Sequence, residues 1–372
     1  MARSLTQPLE DFDLGRISRR HLLQLLSVAA AGVPGKLLAQ ATGSTVGSPA
    51  SARRRRAQRQ EALVPPFEPT GWKTVWLDHF SYRCADYEKA AAFYNALMGW
   101  KVRSDDGQQA VLDIGENTGG IIIRGGLTGP PPVALTDAGL GVDVPRIQAI
   151  WDGFAWGIEP WDTDTVEAEL DERGLNPVAD HQGSDYRSFR IKDPDGFEVA
   201  ITNGTKALRR KEPANSKLRV PPPFEPTGWE TVYLDHISFE VPDYRRSAAF
   251  YQALLGWEVR IGERGGSASA RIGDIGGAII RGNAAARAAE RGTAPPPPPP
   301  AGAVTAIIGH ISFGIANWDK DRVRQELIDR GLVYVNREGE REPRPDMGGS
   351  LESYHVPDAM GWDLQIGNQI GP

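Results

Sequence analysis

FEPTGWKTVWLDHFSYRCADYEKAAAFYNALMGWKV, residues 67–102, is written a second time as FEPTGWETVYLDHISFEVPDYRRSAAFYQALLGWEV, residues 224–259. The stretches agree at 23 of 36 positions and lie 157 residues apart (224 − 67). In each, a β-prone run (WLDHFSY, YLDHISF) leads into a helical pattern. Ala248, Phe250, Tyr251 and Leu254 fall close to helical spacing, and Gly256 stands where a helix-ending glycine belongs. Each strand carries one histidine in an apolar frame, His79 or His236. The chemical question is whether that imidazole binds a metal or fills a core.

The offset persists. FAWGIEPWDTDTVEAELDERGL (154–175) lies over ISFGIANWDKDRVRQELIDRGL (311–332). So long a period means tandem domains rather than a solenoid, and 372 residues suffice for two domains, each with its own core. Each copy divides again. In the second, a strand (231–239), a helix and three short strands near WEVRIG, SARIGDI and GAIIRG precede a proline-rich loop, 283–302. That loop holds Pro295 to Pro300 and is expected as an extended spacer. The order then repeats: strand AIIGHISFGI, helix WDKDRVRQELIDRG, and strands near YVNRE, SLESYHV and GWDLQIG. The expected architecture is α+β, a βαβββ unit occurring four times.

Composition is that of a globular protein, 40% hydrophobic and 24% charged, with a formal charge of −6. No basic face stands out beyond the N-terminal region, which argues against nucleic acid as a partner. The single cysteine, Cys84, excludes an intrachain disulfide and a cysteine-based zinc site. The N-terminal stretch GRISRRHLLQLLSVAAAGVPGKLLAQA (15–41) pairs Arg19 with Arg20, continues into a moderately apolar run and closes on Ala39-Gln40-Ala41. It resembles a twin-arginine export signal, and is too short and interrupted to read as a membrane span. The expected organisation is a signal peptide (1–41), a flexible linker (42–66), a first module (67–205), a second linker (206–223) and a second module (224–370). The expected location is periplasmic or extracellular, reached through the twin-arginine machinery. Duplication makes a monomer possible.

LDHISF followed by DYRRSAAFYQALLGWEV, and DPDGFEV (193–199) near the end of the first copy, resemble the vicinal oxygen chelate superfamily. This group includes glyoxalases, extradiol dioxygenases and antibiotic-resistance proteins. The resemblance covers nearly all of residues 70–205 and 228–370. It implies curved mixed sheets, paired into open cups with a metal on the concave face. Strand alternation agrees: His236 and Ser238 share one face, as do His310, Ser312 and Gly314, opposite an apolar set.

Carried over residue by residue, the resemblance makes His236, His310 and Gln365 the metal ligands of the second copy. The third position, four residues after the glycine of the DPDG-like turn, is usually glutamate; Gln365 supplies a carbonyl oxygen without charge. Two histidines and a carboxylate around open positions suit ferrous iron, with zinc or manganese as the other candidate ions. With Gln365 in the carboxylate's place, the affinity is expected to fall. Asp363 lies on the same strand face as a substitute ligand. In the first copy the corresponding positions are His79, Gly153 and Ala200, so that site is read as degenerate and His79 as structural. His355, ten residues before Gln365, stands where extradiol dioxygenases place a tyrosine and is the expected general acid or base. Arg281, with its counterpart Arg124, is placed to receive an anionic substrate, and Ser312 is a further expected substrate contact. Two functions follow. One is a divalent-metal-dependent enzyme acting on a small molecule with two neighbouring oxygens. The other is a metal-free protein that sequesters a small molecule.

Overall fold

The computed structural model describes residues 62–128, 147–183, 185–209, 216–262, 265–294, 304–336, 338–348 and 350–371. The expected export segment and Pro295 to Pro300 lie outside the described residues.

The first copy runs β1 (Lys73–Cys84), α1 (Tyr87–Met98), β2 (Lys101–Asp105), β3 (Gln109–Asp113) and β4 (Gly120–Arg124). It continues with β5 (Ala149–Glu159), α2 (Thr163–Glu172), β6 (Val178–Ala179), β7 (Ser188–Lys192) and β8 (Glu198–Thr202). A single turn, α3 (Lys206–Arg209), follows. The second copy begins β9 (Thr231–Val241), α4 (Tyr244–Leu255), β10 (Glu258–Ile261), β11 (Ser267–Ile272), β12 (Gly276–Gly282) and α5 (Ala284–Arg291). Its second half is β13 (Ile307–Ile315), α6 (Lys320–Asp329), β14 (Tyr334–Val335), β15 (Arg341–Glu342), β16 (Arg344–Gly348), β17 (Leu351–Pro357) and β18 (Asp363–Gly367).

Each copy makes one eight-stranded mixed sheet, in the orders β2-β3-β4-β1-β5-β8-β7-β6 and β10-β11-β12-β9-β13-β18-β17-β16. The first strands of the two halves pair antiparallel at the centre, β1 with β5 and β9 with β13. This is the expected set of four βαβββ units in two tandem modules. The central helices begin where aspartates cap them: Asp86 accepts from the Lys89 amide, and Asp243 from the Arg245 and Arg246 amides. They end at Gly99 (φ 68°) and Gly256 (φ 67°), in the left-handed region that favours glycine.

Two elements differ from the sequence reading. The stretch 283–302 opens with a helix, because AAARAAER is rich in the best helix former and is bracketed by Asn283 as N-cap and Gly292 beyond its C-terminus. Tyr334–Val335 leaves the main sheet to pair with β15, and Arg344–Gly348 takes the sheet edge instead. Pro345 is tolerated there because an edge strand has one side with no ladder to complete.

The repeated PTGW motif explains why the duplication is so strict. The Thr70 hydroxyl donates to the Leu254 carbonyl at 2.8 Å, closing the helix of the second copy; Thr227 donates to Leu97 at 2.7 Å, closing that of the first. A Cβ on Gly99 would meet the Trp229 carbonyl oxygen at 2.3 Å, and one on Gly256 the Trp72 carbonyl oxygen at the same distance. Each copy therefore finishes the other's helix. The expectation of two separate cores gives way accordingly: residues of both copies form one continuous apolar cluster. Phe80 packs edge-on against Phe313, and Phe154 against Phe239. Aromatic pairs of this kind add about 0.5–1.5 kcal/mol each beyond the area they bury.

Candidate metal centre

On the polar face of the second sheet, register brings the expected residues together. Ser312 lies opposite His236 on β9 and beside Gln365 on β18; Gln365 lies opposite His355 on β17. His310 lies beside Asp363. Paired residues share a face, so these side chains rise from one surface.

His236 Nε2 and His310 Nε2 are 3.0 Å apart. Two nitrogens bound to one ion at about 2.1 Å and at right angles are separated by about 3 Å, so the imidazoles already hold a ligand spacing. Asp235 Oδ2 lies 3.0 Å from His236 Nδ1 and accepts from the Ser312 hydroxyl at 2.9 Å. The carboxylate holds the proton of His236 on Nδ1 and turns the Nε2 lone pair toward His310. Burial pushes the Asp235 carboxyl up, but the His236 and Ser312 contacts outweigh it and leave the group below its ordinary range. His310 is held well below 6.5, first by burial and then by the neighbouring His236, His355, Arg281 and Arg344, so it is a neutral donor at pH 7.

Gln365 is 4% exposed. Ser353 Oγ donates its proton to the Asp346 carbonyl at 3.2 Å and accepts from Gln365 Nε2 at 2.8 Å. This fixes the amide orientation and leaves Gln365 Oε1 buried without a hydrogen-bond partner. Such an orphan costs about 1–3 kcal/mol unless a ligand meets it. An amide oxygen beside two imidazole nitrogens is a donor set that fits a divalent cation.

His355 is buried, its Nδ1 2.9 Å from Asp363 Oδ2. Asp363 also accepts from Arg344 at 3.0 Å and from the Tyr334 hydroxyl at 3.1 Å, and lies 3.9 Å from His310 Nδ1. Its carboxylate is thus engaged behind the histidines. His310, His355 and Asp363 also offer ligand atoms within 4.8 Å of one another. A cavity of about 340 Å³ opens beside His236 and Gln365, lined also by Arg281, Ile279, Asp346 and Leu351, while His310 and His355 do not line it. Arg281 donates to Ser238 at 2.7 Å, and burial holds its guanidinium below the usual range. Ser312, expected at the substrate, is instead wholly buried, and its hydroxyl is spent on Asp235.

Asp235 is the residue beside His236 that alternation hid. Neighbouring strand residues point to opposite faces, which would send Asp235 away from His236. The register steps from Ser312↔His236 to Phe313↔Leu234, leaving Asp235 as the extra residue of a bulge that keeps both on one face. The first copy has the same step around Asp78, with His79 Nδ1 2.7 Å from Asp78 Oδ2. The recurring LDH was the signal.

The first copy lacks the rest. A Cβ on Gly153 would come within 2.5 Å of the Glu198 carbonyl oxygen, so no ligand side chain fits there as the strands stand. The turns at Asp193 and Asp358 align 165 residues apart (358 − 193), which places Arg190 at the position of His355 and Glu198 at that of Asp363. Arg190 lies 3.7 Å from Glu198 and 3.4 Å from Asp180.

The family model described as the Glyoxalase/Bleomycin resistance protein/Dioxygenase superfamily matches residues 76–201 and 233–366. The chain belongs to this superfamily. Its two matched segments are the two modules, and the superfamily fold is shared with solved structures. A Mn(II)-bound glyoxalase from Novosphingobium aromaticivorans is 14% identical, covering 80% of this chain and 82% of that one at a TM-score of 0.52. The 2,3-dioxygenase LapB from Pseudomonas sp. KL28 is 14% identical over 81% and 94%, TM-score 0.52. Homoprotocatechuate 2,3-dioxygenase from Arthrobacter globiformis is 18% identical over 83% and 84%, TM-score 0.52. At these identities the likeness is one of fold. No curated protein matches the chain.

Proposed function

We propose that the protein is a divalent-metal-dependent enzyme whose C-terminal cup acts on a small molecule presenting two neighbouring oxygen atoms. His236, His310 and Gln365 would hold the ion, which is ferrous iron, manganese or zinc. The observation that carries this reading is the 3.0 Å approach of His236 Nε2 to His310 Nε2 beside the buried, unpartnered Gln365 Oε1. When bound, a divalent ion supplies Lewis acidity toward substrate oxygens and stabilises negative charge that develops on them.

The side chains around it have separate tasks. Asp235 orients His236, and Ser312 steadies Asp235. His355, its Nδ1 proton held on Asp363, keeps Nε2 free to take or return a proton. Arg281, on the cavity wall, receives an anionic group of the substrate. The family includes members named for glyoxalase and dioxygenase activity, which supports metal-assisted chemistry. Elemental analysis of the purified chain tests the reading: one divalent ion per chain, lost in His310→Ala, is expected. Absence of bound ion even after loading would refute it.

One observation favours the second reading, a metal-free binding protein. The two Nε2 atoms also satisfy each other as a hydrogen-bonded pair when no ion is present. Ligand-induced thermal stabilisation that survives a chelator would select this reading over the first. We further propose export by the twin-arginine route, on the strength of Arg19 and Arg20 ahead of the apolar run. An Arg19→Lys/Arg20→Lys variant retained in the cytoplasm would bear this out, and unchanged export would oppose it.

A further inference from the structure

We propose that the C-terminal cup selects a ligand carrying a protonated amine, seated on Asp346 in the cavity wall. This deepens the reading above and rests on that cavity being the ligand site.

The cavity is acidic. Asp235, Asp346 and Glu352 line it against one cation, Arg281. Arg281 does not reverse the sign, since the carboxylates of Glu240 and Asp346 both act on its charge. The three lining carboxylates differ in what already holds them. Asp235 is engaged by His236 and Ser312, and Glu352 accepts from the Trp318 indole at 3.1 Å. Asp346 lies opposite Ser353 across the β16–β17 pair and shares its face, beside Gln365. Its backbone carbonyl accepts from Ser353, but its exposed carboxylate has no hydrogen-bond or ion-pair partner among the described residues.

Hydrogen bonding along the wall points the same way. The side-chain amides of Gln365, Asn368 and Gln369 already donate, to Ser353 Oγ and to the Ser350 and Gly371 carbonyls. Ser353 gives its own proton to the Asp346 carbonyl, and Arg281 donates to Ser238. What stays open is on the acceptor side: the Asp346 carboxylate and the buried Gln365 Oε1. A ligand that completes such a wall brings donors and positive charge, and an ammonium group brings three N–H donors with one charge. An ion held by His236, His310 and Gln365 takes the amide oxygen and leaves Asp346 to the amine. The selection therefore operates with or without metal. The amine is a second handle on the ligand, apart from the group that meets Arg281, and about 340 Å³ keeps that ligand small.

The test is a saturation-transfer NMR titration of the full-length protein at pH 7 with 3-amino-1,2-propanediol, glycerol and glycerate. These probes share one carbon skeleton and two neighbouring oxygens and differ in charge. Each is titrated into metal-free protein and into protein loaded with diamagnetic Zn(II). The aminodiol is expected to bind about tenfold tighter than glycerol in both forms, the size of one charge-assisted hydrogen bond. Asp346→Asn is expected to bring the aminodiol to the level of glycerol, and Asp346→Lys to favour glycerate over the aminodiol. Circular dichroism confirms that both variants are folded. Equal affinity for the aminodiol and glycerol, a preference that survives Asp346→Asn, or no binding by any probe overturns the inference. Zn(II) uptake without the preference leaves the metal reading standing. The preference in protein that takes up no Zn(II) sustains the inference and sinks the metal reading.

Discussion

Tyr251 of the second module donates its hydroxyl to Asp193 of the first at 2.6 Å, in the buried contact between the copies. The relation is returned by Tyr82 and Tyr94, which donate to Asp358 at 2.6 and 2.7 Å. Both carboxyls sit in equivalent turns just before the last strand of their module, so the chain is joined by reciprocal tyrosine–carboxylate contacts. Both also have raised pKa values: burial pushes Asp193 to about 6 and Asp358 upward, against the hydrogen bonds they accept.

That shift makes stability depend on pH. A carboxyl raised in the folded state holds its proton more tightly there than in the unfolded chain. Its contribution is complete below about pH 4 and is lost as pH rises through the folded value near 6. Asp193 alone accounts for about 3 kcal/mol between these limits. Urea unfolding is expected to show wild-type stability falling between about pH 4 and 6, and levelling off above, relative to Asp193→Asn, whose stability lacks this titration. Parallel pH profiles of the two proteins would contradict it.

Tyr94→Phe removes one of two hydroxyls from Asp358 and leaves the other in place. A loss of about 1–3 kcal/mol is expected by denaturant unfolding, with a larger loss when Tyr82→Phe is added. Unchanged stability in the double variant would show that these hydrogen bonds add nothing to the junction.

Asp235→Asn keeps the shape of the group beside His236 and removes its charge. Metal affinity is expected to fall about 10–100-fold, the usual cost of losing such an outer partner, while the melting temperature of the metal-free protein stays close to wild type. Isothermal titration with Mn(II) measures the first and calorimetric unfolding the second. Full affinity in the variant would mean that Asp235 does not orient the ligand.

Gly153→Ala tests why the first cup lacks a ligand. The added Cβ meets the Glu198 carbonyl oxygen at 2.5 Å, so a destabilisation of about 1–3 kcal/mol is expected from overpacking. A neutral substitution would show that the strands can part, and that position 153 was free to carry a histidine.

The fold was legible because its signals are local and duplicated. The repeat, and the halves within each copy, gave the four units, and Gly256 gave the end of its helix. What the sequence concealed was exchange between copies. The identity of PTGW at 69–72 and 226–229 is visible, but that each motif closes the other copy's helix depends on contacts far apart in the chain, such as Thr70 with Leu254 (254 − 70 = 184). At the site, the family resemblance named His236, His310 and Gln365, and strand alternation put each histidine on the polar face of its strand. Alternation could not place Asp235, because a bulge defeats a two-residue period. Ser312 was misassigned for a related reason: sharing a face with the ligands does not put a side chain in the open cavity, and its hydroxyl lies beneath them on Asp235.

Anomalous diffraction from crystals of the protein loaded with Mn(II) is the most direct test of the metal centre. A single peak within bonding distance of His236 Nε2, His310 Nε2 and Gln365 Oε1 is the predicted result. A peak among His310, His355 and Asp363 that leaves Gln365 unliganded, or no peak in either cup, would contradict it.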